Sequence, residues 1–480
     1  MDAEEFQLVK GAEREPSRHA PKKLHRARRK LAERGLDRRT QRDPIPDEPG
    51  EPVEQSPQTA TGPNDGGQNH EVTFATYTPI GVPTHSGPIP PDPSGAEAPG
   101  GVVLYVGNTY LMASTDGGAT FTEHDSTAFL PAAVNRPVDQ VMIYVPHRRM
   151  FAWMMQHGAT VGTGGGNFRL AVASVDDVRA DVETAWTSYD FTSTDLGQPG
   201  VGTDRQDLAF SETRLYQTTN AVGKGRVVMS LSLDDLDARR TVNWTRTNVL
   251  PAEFQFSDLS QQNNQNVHSV AIGSNTRLRV MRYDDGAGSY AIHDVTVGQF
   301  ATTSDLVATD PDGVDWLTRG VANVSASVMV GDDLWTAWDA AASAAGDRPN
   351  FPNTHVRMAH INTNTWATTQ EHQVWNNDYA FAYGCLATGR QGEEIAYGVA
   401  VGGSRDYPNS CFGILGDFVV YYRDTSTATP GATDEPRWGD YLTVRPNSSD
   451  PTRYAAFGYY ADGPTTAAVQ RPFYLSYGRP

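Results

Sequence analysis

The chain has 480 residues, 38% of them hydrophobic, with 45 Gly and 31 Pro: enough apolar material for one large core, and too many turn-formers for a long-helix protein. Its formal charge of −18 is unevenly spread, because residues 18–42 carry 11 Lys or Arg against two acids, while residues 43–480 hold 26 basic and 50 acidic residues. Such an acidic body repels phosphate backbones and argues against nucleic acid as its partner, and no 18-residue apolar run exists to form a membrane-spanning helix.

The start, Met1-Asp2-Ala3-Glu4-Glu5, lacks the basic-then-apolar order of a secretory signal. An extracellular or particle-associated setting is nevertheless the expectation for a chain of this kind. Residues 1–42 read as a basic, partly helical arm: Leu24, Ala27 and Leu31 share one helical face, and Gly35 supplies a C-terminal stop. The arm suits either a solvated extension or a docking peptide for a protein assembly. Residues 43–71, rich in Pro, Gly and acidic residues, have the composition of a disordered linker.

The folded body spans residues 72–480. Val72 to Tyr77 alternates like a strand, and the Pro/Gly-rich stretch 79–101 reads as a long loop. Ser114-Thr115-Asp116-Gly117-Gly118-Ala119-Thr120-Phe121 follows the pattern Ser-x-Asp-x-Gly-x-Thr-Phe, in which Asp116 accepts backbone N–H bonds across a hairpin turn and Phe121 packs between sheets. Ser174-Val175-Asp176-Asp177 precedes Trp186, and Ser232-Leu233-Asp234-Asp235 precedes Trp244, at one common spacing. Together with Ser114 they define a period near 60 residues, which fits a four-stranded propeller blade. Inner strands are expected before the Ser114 turn and at 139–145, 204–211, 267–272, 320–330, 380–387 and 441–444. The fold class is therefore all-β, a seven-bladed β-propeller whose last blade takes its fourth strand from residues 72–77, leaving no open sheet edge.

On Ser114, Asp116, Gly118 and Phe121 the chain resembles the sialidase-like Asp-box (BNR repeat) β-propellers. Through Asn377-Asp378-Tyr379, Gly402-Gly403, Tyr407-Pro408 and Arg437-Trp438-Gly439-Asp440-Tyr441 it resembles a bacterial branch of them. The resemblance implies the fold and a carbohydrate ligand. A sialidase also needs an early Phe/Tyr-Arg-Ile/Leu-Pro motif; here Phe168-Arg169-Leu170 runs into Ala171, so the sialidase catalytic set does not carry over.

Polar residues at the starts of inner strands converge on one axial mouth. This nominates Asp139, Asp207, His268 and Asp440 as acid–base groups, and Arg205, Arg319, Tyr383, Arg437 and Trp438 as substrate contacts. Trp438 fits both a sugar platform and a core plug, with Gly439 allowing the tight turn beside it. No metal site is expected; Asp310-Pro311-Asp312-Gly313-Val314-Asp315 has calcium-loop spacing but equally spells an ordinary turn. Cys385 and Cys411 suit one bridge or two buried thiols. The expected function is a glycosidase or polysaccharide lyase acting on an extracellular glycan, the alternative a non-catalytic glycan-binding or assembly module anchored by the basic arm.

Overall fold

The computed structural model describes residues 3–17, 56–59, 72–84, 90–130, 137–157, 166–302, 305–318, 320–343, 350–389, 394–432, 435–464 and 468–479. The arm helix expected at 22–35, most of the 43–71 linker, and Arg319 lie outside them.

Seven antiparallel sheets follow one another around an axis. Blade 1 is Ser94–Ala98, Val102–Val106, Tyr110–Ser114 and Thr122–Asp125. Blade 2 begins with Pro137–Val145, blade 3 with Thr203–Phe210, blade 5 with Val324–Val330, blade 6 with Ala380–Thr388 and blade 7 with Thr443–Pro446. Blade 7 is completed by Thr73–Pro79 on Val469–Gly478, in the register Gly478↔Thr73 to Phe473↔Pro79. The ring is thus closed by a strand from the N-terminal side, as expected. Two expectations change. The stretch 79–101 is not all loop, since it contains the innermost strand of blade 1. In blade 4 the axial position belongs to 256–261: Leu259 bridges Ser269, and Ser260–Gln261 runs parallel to Val324–Val330. Val267–Ser274 is therefore one strand farther out than its apolar run suggested.

Each sheet is apolar on both faces, so burial comes from the joints between blades. Leu104, Met142, Trp153 and Trp186 fill the joint of blades 1 and 2; Phe168, Tyr189, Leu208 and Trp244 that of blades 2 and 3. Val103, Tyr105, Phe457 and Tyr474 seal blade 7 against blade 1.

The period near 60 residues marks one place in successive blades. Ser114, Ser174 and Ser232 each end a third strand. After Ser114 the chain makes a hairpin, in which Asp116 accepts from Thr120 N at 2.9 Å and Gly118 N donates to Ser114 Oγ at 2.9 Å. Ser174 and Ser232 instead cap short helices, accepting from Asp177 N and Asp235 N.

The first residues behave differently from a free arm. Glu4–Gln7 adds a strand to blade 4, Val9–Lys10 one to blade 3, and Ser17 exchanges backbone bonds with Ser188 of blade 2. Gly11 permits this close approach, since a Cβ there would fall 2.1 Å from the Trp244 ring. Farther on, Ser56–Thr59 pairs in parallel with Val419–Tyr422 of blade 6.

Phe6 stacks on Tyr290 at 5.0 Å. Deleting residues 1–17 should leave a folded ring destabilised by about 2 kcal/mol or more, the worth of one such aromatic plus the lost edge pairing, as read by chemical denaturation. Cys385 and Cys411 are free and buried, and burial pushes the Cys385 thiol up to about 12. Neither should react with a disulfide reagent in the native protein, and both should react once it is unfolded.

Candidate functional site

The mouth is built by a repeated backbone irregularity. Asp92, Asp139, Arg205, Phe256 and Tyr383, at the starts of inner strands, all have left-handed φ between 43° and 65°. The register slips at Asp139, Arg205 and Tyr383, where an extra residue forms a bulge. Left-handed backbone costs a non-glycine residue about 1 kcal/mol, and bulges re-aim side chains, so one level of the axis carries both strain and redirected polar groups.

The bulged N–H groups are taken up by neighbouring blades. Asp139 N donates to Asn108 Oδ1 of blade 1 at 2.8 Å, and Tyr383 N to the carboxylate of Asp339 of blade 5 at 3.1 and 3.3 Å. At the last joint Asp440 N donates to Asp92 Oδ1 at 2.7 Å, an approach that Gly439 allows, since a Cβ there would meet that oxygen at 2.4 Å. Asn108 Nδ2 donates to the other Asp92 oxygen at 2.7 Å.

Of the residues nominated from sequence, Asp139, Arg205, Tyr383, Arg437 and Asp440 meet at this mouth. Arg437 donates to Asp440 Oδ1 at 2.8 Å, and the Asp440 side chain remains 39% exposed. Arg205 lies 3.7 Å from Asp258 and over the Phe256 ring. Asp207, two residues farther along its strand, is set deeper, accepting from Leu208 N and Leu259 N at 2.8 Å. His268 is elsewhere: because 256–261 occupies the axis, its buried ring faces Trp366 at 6.2 Å between blades 4 and 5, where burial and then Arg282 and His293 depress its pKa to about 3. Trp438 is 1% exposed, stacked 4.1 Å from Tyr459, whose hydroxyl bonds its carbonyl. It is a core plug with no face for a sugar. The Asp310 turn is closed likewise, with its Oδ1 taken by Asp312 N and Val314 N.

Sequence reasoning missed Asp92, hidden in a proline run, and Asp204, next to Arg205. Both the Asp139 and Asp204 carboxyls are raised: Asp139 by burial, Asp204, Asp92 and Asp440, and Asp204 by burial and Asp440. Burial and Asp440 likewise push Asp92 up to about 7. The Tyr441 hydroxyl faces these acids, which together with burial raise its pKa, and it has no hydrogen-bond partner among the described residues. The mouth therefore offers two half-buried carboxyls of raised proton affinity, the Asp440 side chain held by Arg437, and two tyrosine hydroxyls.

Burial also pushes Asp339 up to about 7, beside Asp92 and, deeper, Asp207. Each group is protonated more readily folded than unfolded, so its stabilising contribution is full below the ordinary carboxyl range and is lost as pH rises through about 7. The melting temperature should accordingly fall between pH 5 and pH 8. Asp339→Asn, which keeps an acceptor for Tyr383 N, should flatten that slope in a thermal-melt series.

No known family profile matches the chain, and no curated protein does. Among solved structures it is similar to the GH93 α-L-arabinofuranosidase of Fusarium graminearum in complex with arabinobiose (10% identity, 85% of this chain and 98% of that one, TM-score 0.39). It is similar also to the Dos1 propeller (10%, 84% and 96%, 0.42) and to the Trypanosoma rangeli sialidase (12%, 69% and 54%, 0.34).

Proposed function

We propose that the axial mouth binds a glycan and hydrolyses a glycosidic bond. The carrying observation is the crowding at the mouth: burial and the neighbouring Asp204, Asp92 and Asp440 raise the proton affinity of Asp139, while Arg437 holds Asp440 at 2.8 Å. A carboxyl that holds its proton, with a second carboxyl close by, is what acid–base cleavage needs. In this reading Asp139 gives its proton to the leaving glycosidic oxygen, while Asp440 takes one from the water that attacks the anomeric carbon. Arg205, Tyr383 and Tyr441 would contact sugar hydroxyls. Because Asp92, Asp139, Asp204 and Asp440 outnumber Arg205 and Arg437, a neutral glycan suits the mouth better than a polyanion. The hairpin at Ser114–Phe121 supports kinship with the sialidase-like propellers, without their carboxylate-gripping arginines.

The test is a panel of neutral and acidic polysaccharides assayed for reducing ends and for the absorbance of unsaturated products. Release of reducing ends is expected, with an alkaline limb above the ordinary carboxyl range, because activity is lost as the raised acid deprotonates. Asp139→Asn, which tolerates the left-handed backbone, should lower kcat by about 10²- to 10⁴-fold. Glycan binding without any product would leave a binding module instead, and unsaturated products would make the protein a lyase.

A further inference from the structure

The opposite end of the axis, where the inner strands leave the ring, holds a second space of about 520 Å³. That volume lies in the range of small-molecule sites, whereas the space nearer the mouth is only about 60 Å³. Its wall carries apolar side chains from four inner strands, Ile143 and Tyr144, Phe210, Met329 and Val330, and Leu386. The amide-rich turn 261–264 also lines it and is pinned in place: Gln262 exchanges two hydrogen bonds with the Thr388 backbone, at 3.0 and 2.9 Å, and Gln261 donates to Leu208 O at 2.9 Å. This turn is thus preformed rather than collapsed onto the cavity.

One charged group stands between the two spaces. Arg445 lines both, and its buried Nε has no hydrogen-bond partner among the described residues. Asp207 and Asp258 act on it electrostatically, but both Asp207 oxygens also accept backbone N–H groups, and Asp258 also faces Arg205 and Arg226. Glu97, the other acid on the wall, accepts from the Tyr474 hydroxyl at 2.8 Å. A buried Nε–H without an acceptor is an unsatisfied donor, which an anionic ligand group would satisfy.

We propose that this exit cavity is a second binding site, for a small organic anion with an apolar ring, its carboxylate or sulfonate held by Arg445 and its ring laid against Phe210, Met329 and Leu386. The site is independent of the mouth and of the chemistry proposed there.

The probes are 8-anilinonaphthalene-1-sulfonate, followed by fluorescence, and 2-naphthoate against uncharged 2-naphthamide as competitors, on the full chain. Saturable binding is expected, with naphthoate competing at least 10-fold better than naphthamide. Arg445→Gln should erase that preference, and Val330→Trp, at the half-exposed rim, should abolish binding by filling the cavity. Circular dichroism and a thermal melt establish that each variant is folded; Val330→Trp keeps the test decisive if Arg445→Gln does not fold. Asp139→Asn should bind the probes unchanged, which separates failure here from failure at the mouth. No saturable binding, equal competition by the two naphthalenes, or unchanged binding by folded Val330→Trp would overturn the proposal.

Discussion

Everything in this molecule depends on joints. A four-stranded sheet with two apolar faces cannot be stable alone, because whichever face is left open exposes it to water. Clusters such as Met154, Phe168, Leu208 and Trp244 belong to no single blade; they exist only when two blades meet. A row of such sheets still leaves two outer faces bare, and only closure removes them. The pairing of Thr73–Pro79 with Val469–Gly478, backed by the Val103, Tyr105, Phe457 and Tyr474 cluster, is therefore what allows the other joints to persist.

Closure has a geometric price at the centre. Seven inner strands converge on one axis, and at the starts of five of them the chain turns inward through a left-handed non-glycine residue rather than continuing as regular strand. The freed N–H groups are caught by Asn108, Asp339 and Asp92 from adjoining blades, so the polar mouth is both the by-product of convergence and the fastening of the inner rim. Fixing carboxyls in so crowded a place raises their proton affinity, as at Asp92 and Asp139.

The architecture was legible because its signals are local. The Ser114 turn, the spacing of Ser174 and Ser232, and the alternation of 72–77 each report nearest-neighbour geometry, and they carried blade number and closure. What misled was the inner strand of blade 4: the run at 267–272 is the more apolar, yet the axis is taken by Phe256, Asp258 and Gln261, polar enough to pass for loop. The same error displaced His268 into the blade joint. Strand starts led to Asp139, Arg205, Tyr383 and Asp440, which meet at one end of the axis, whereas Trp438 depended on whether a face stays open, a property of Tyr459 far along the chain. Left-handed φ at Asp, Arg and Tyr leaves no mark in sequence, since glycine is its usual sign.

That last feature bears on how such a protein can decay. At Asp139, Arg205 and Tyr383 glycine or asparagine would relax the backbone, so substitutions that strip the mouth of these side chains also ease the ring. A population of variants sorted for solubility or yield would drift toward rings without these side chains, and no loss of expression would betray the change. For this chain, folding well is a poor proxy for an intact mouth.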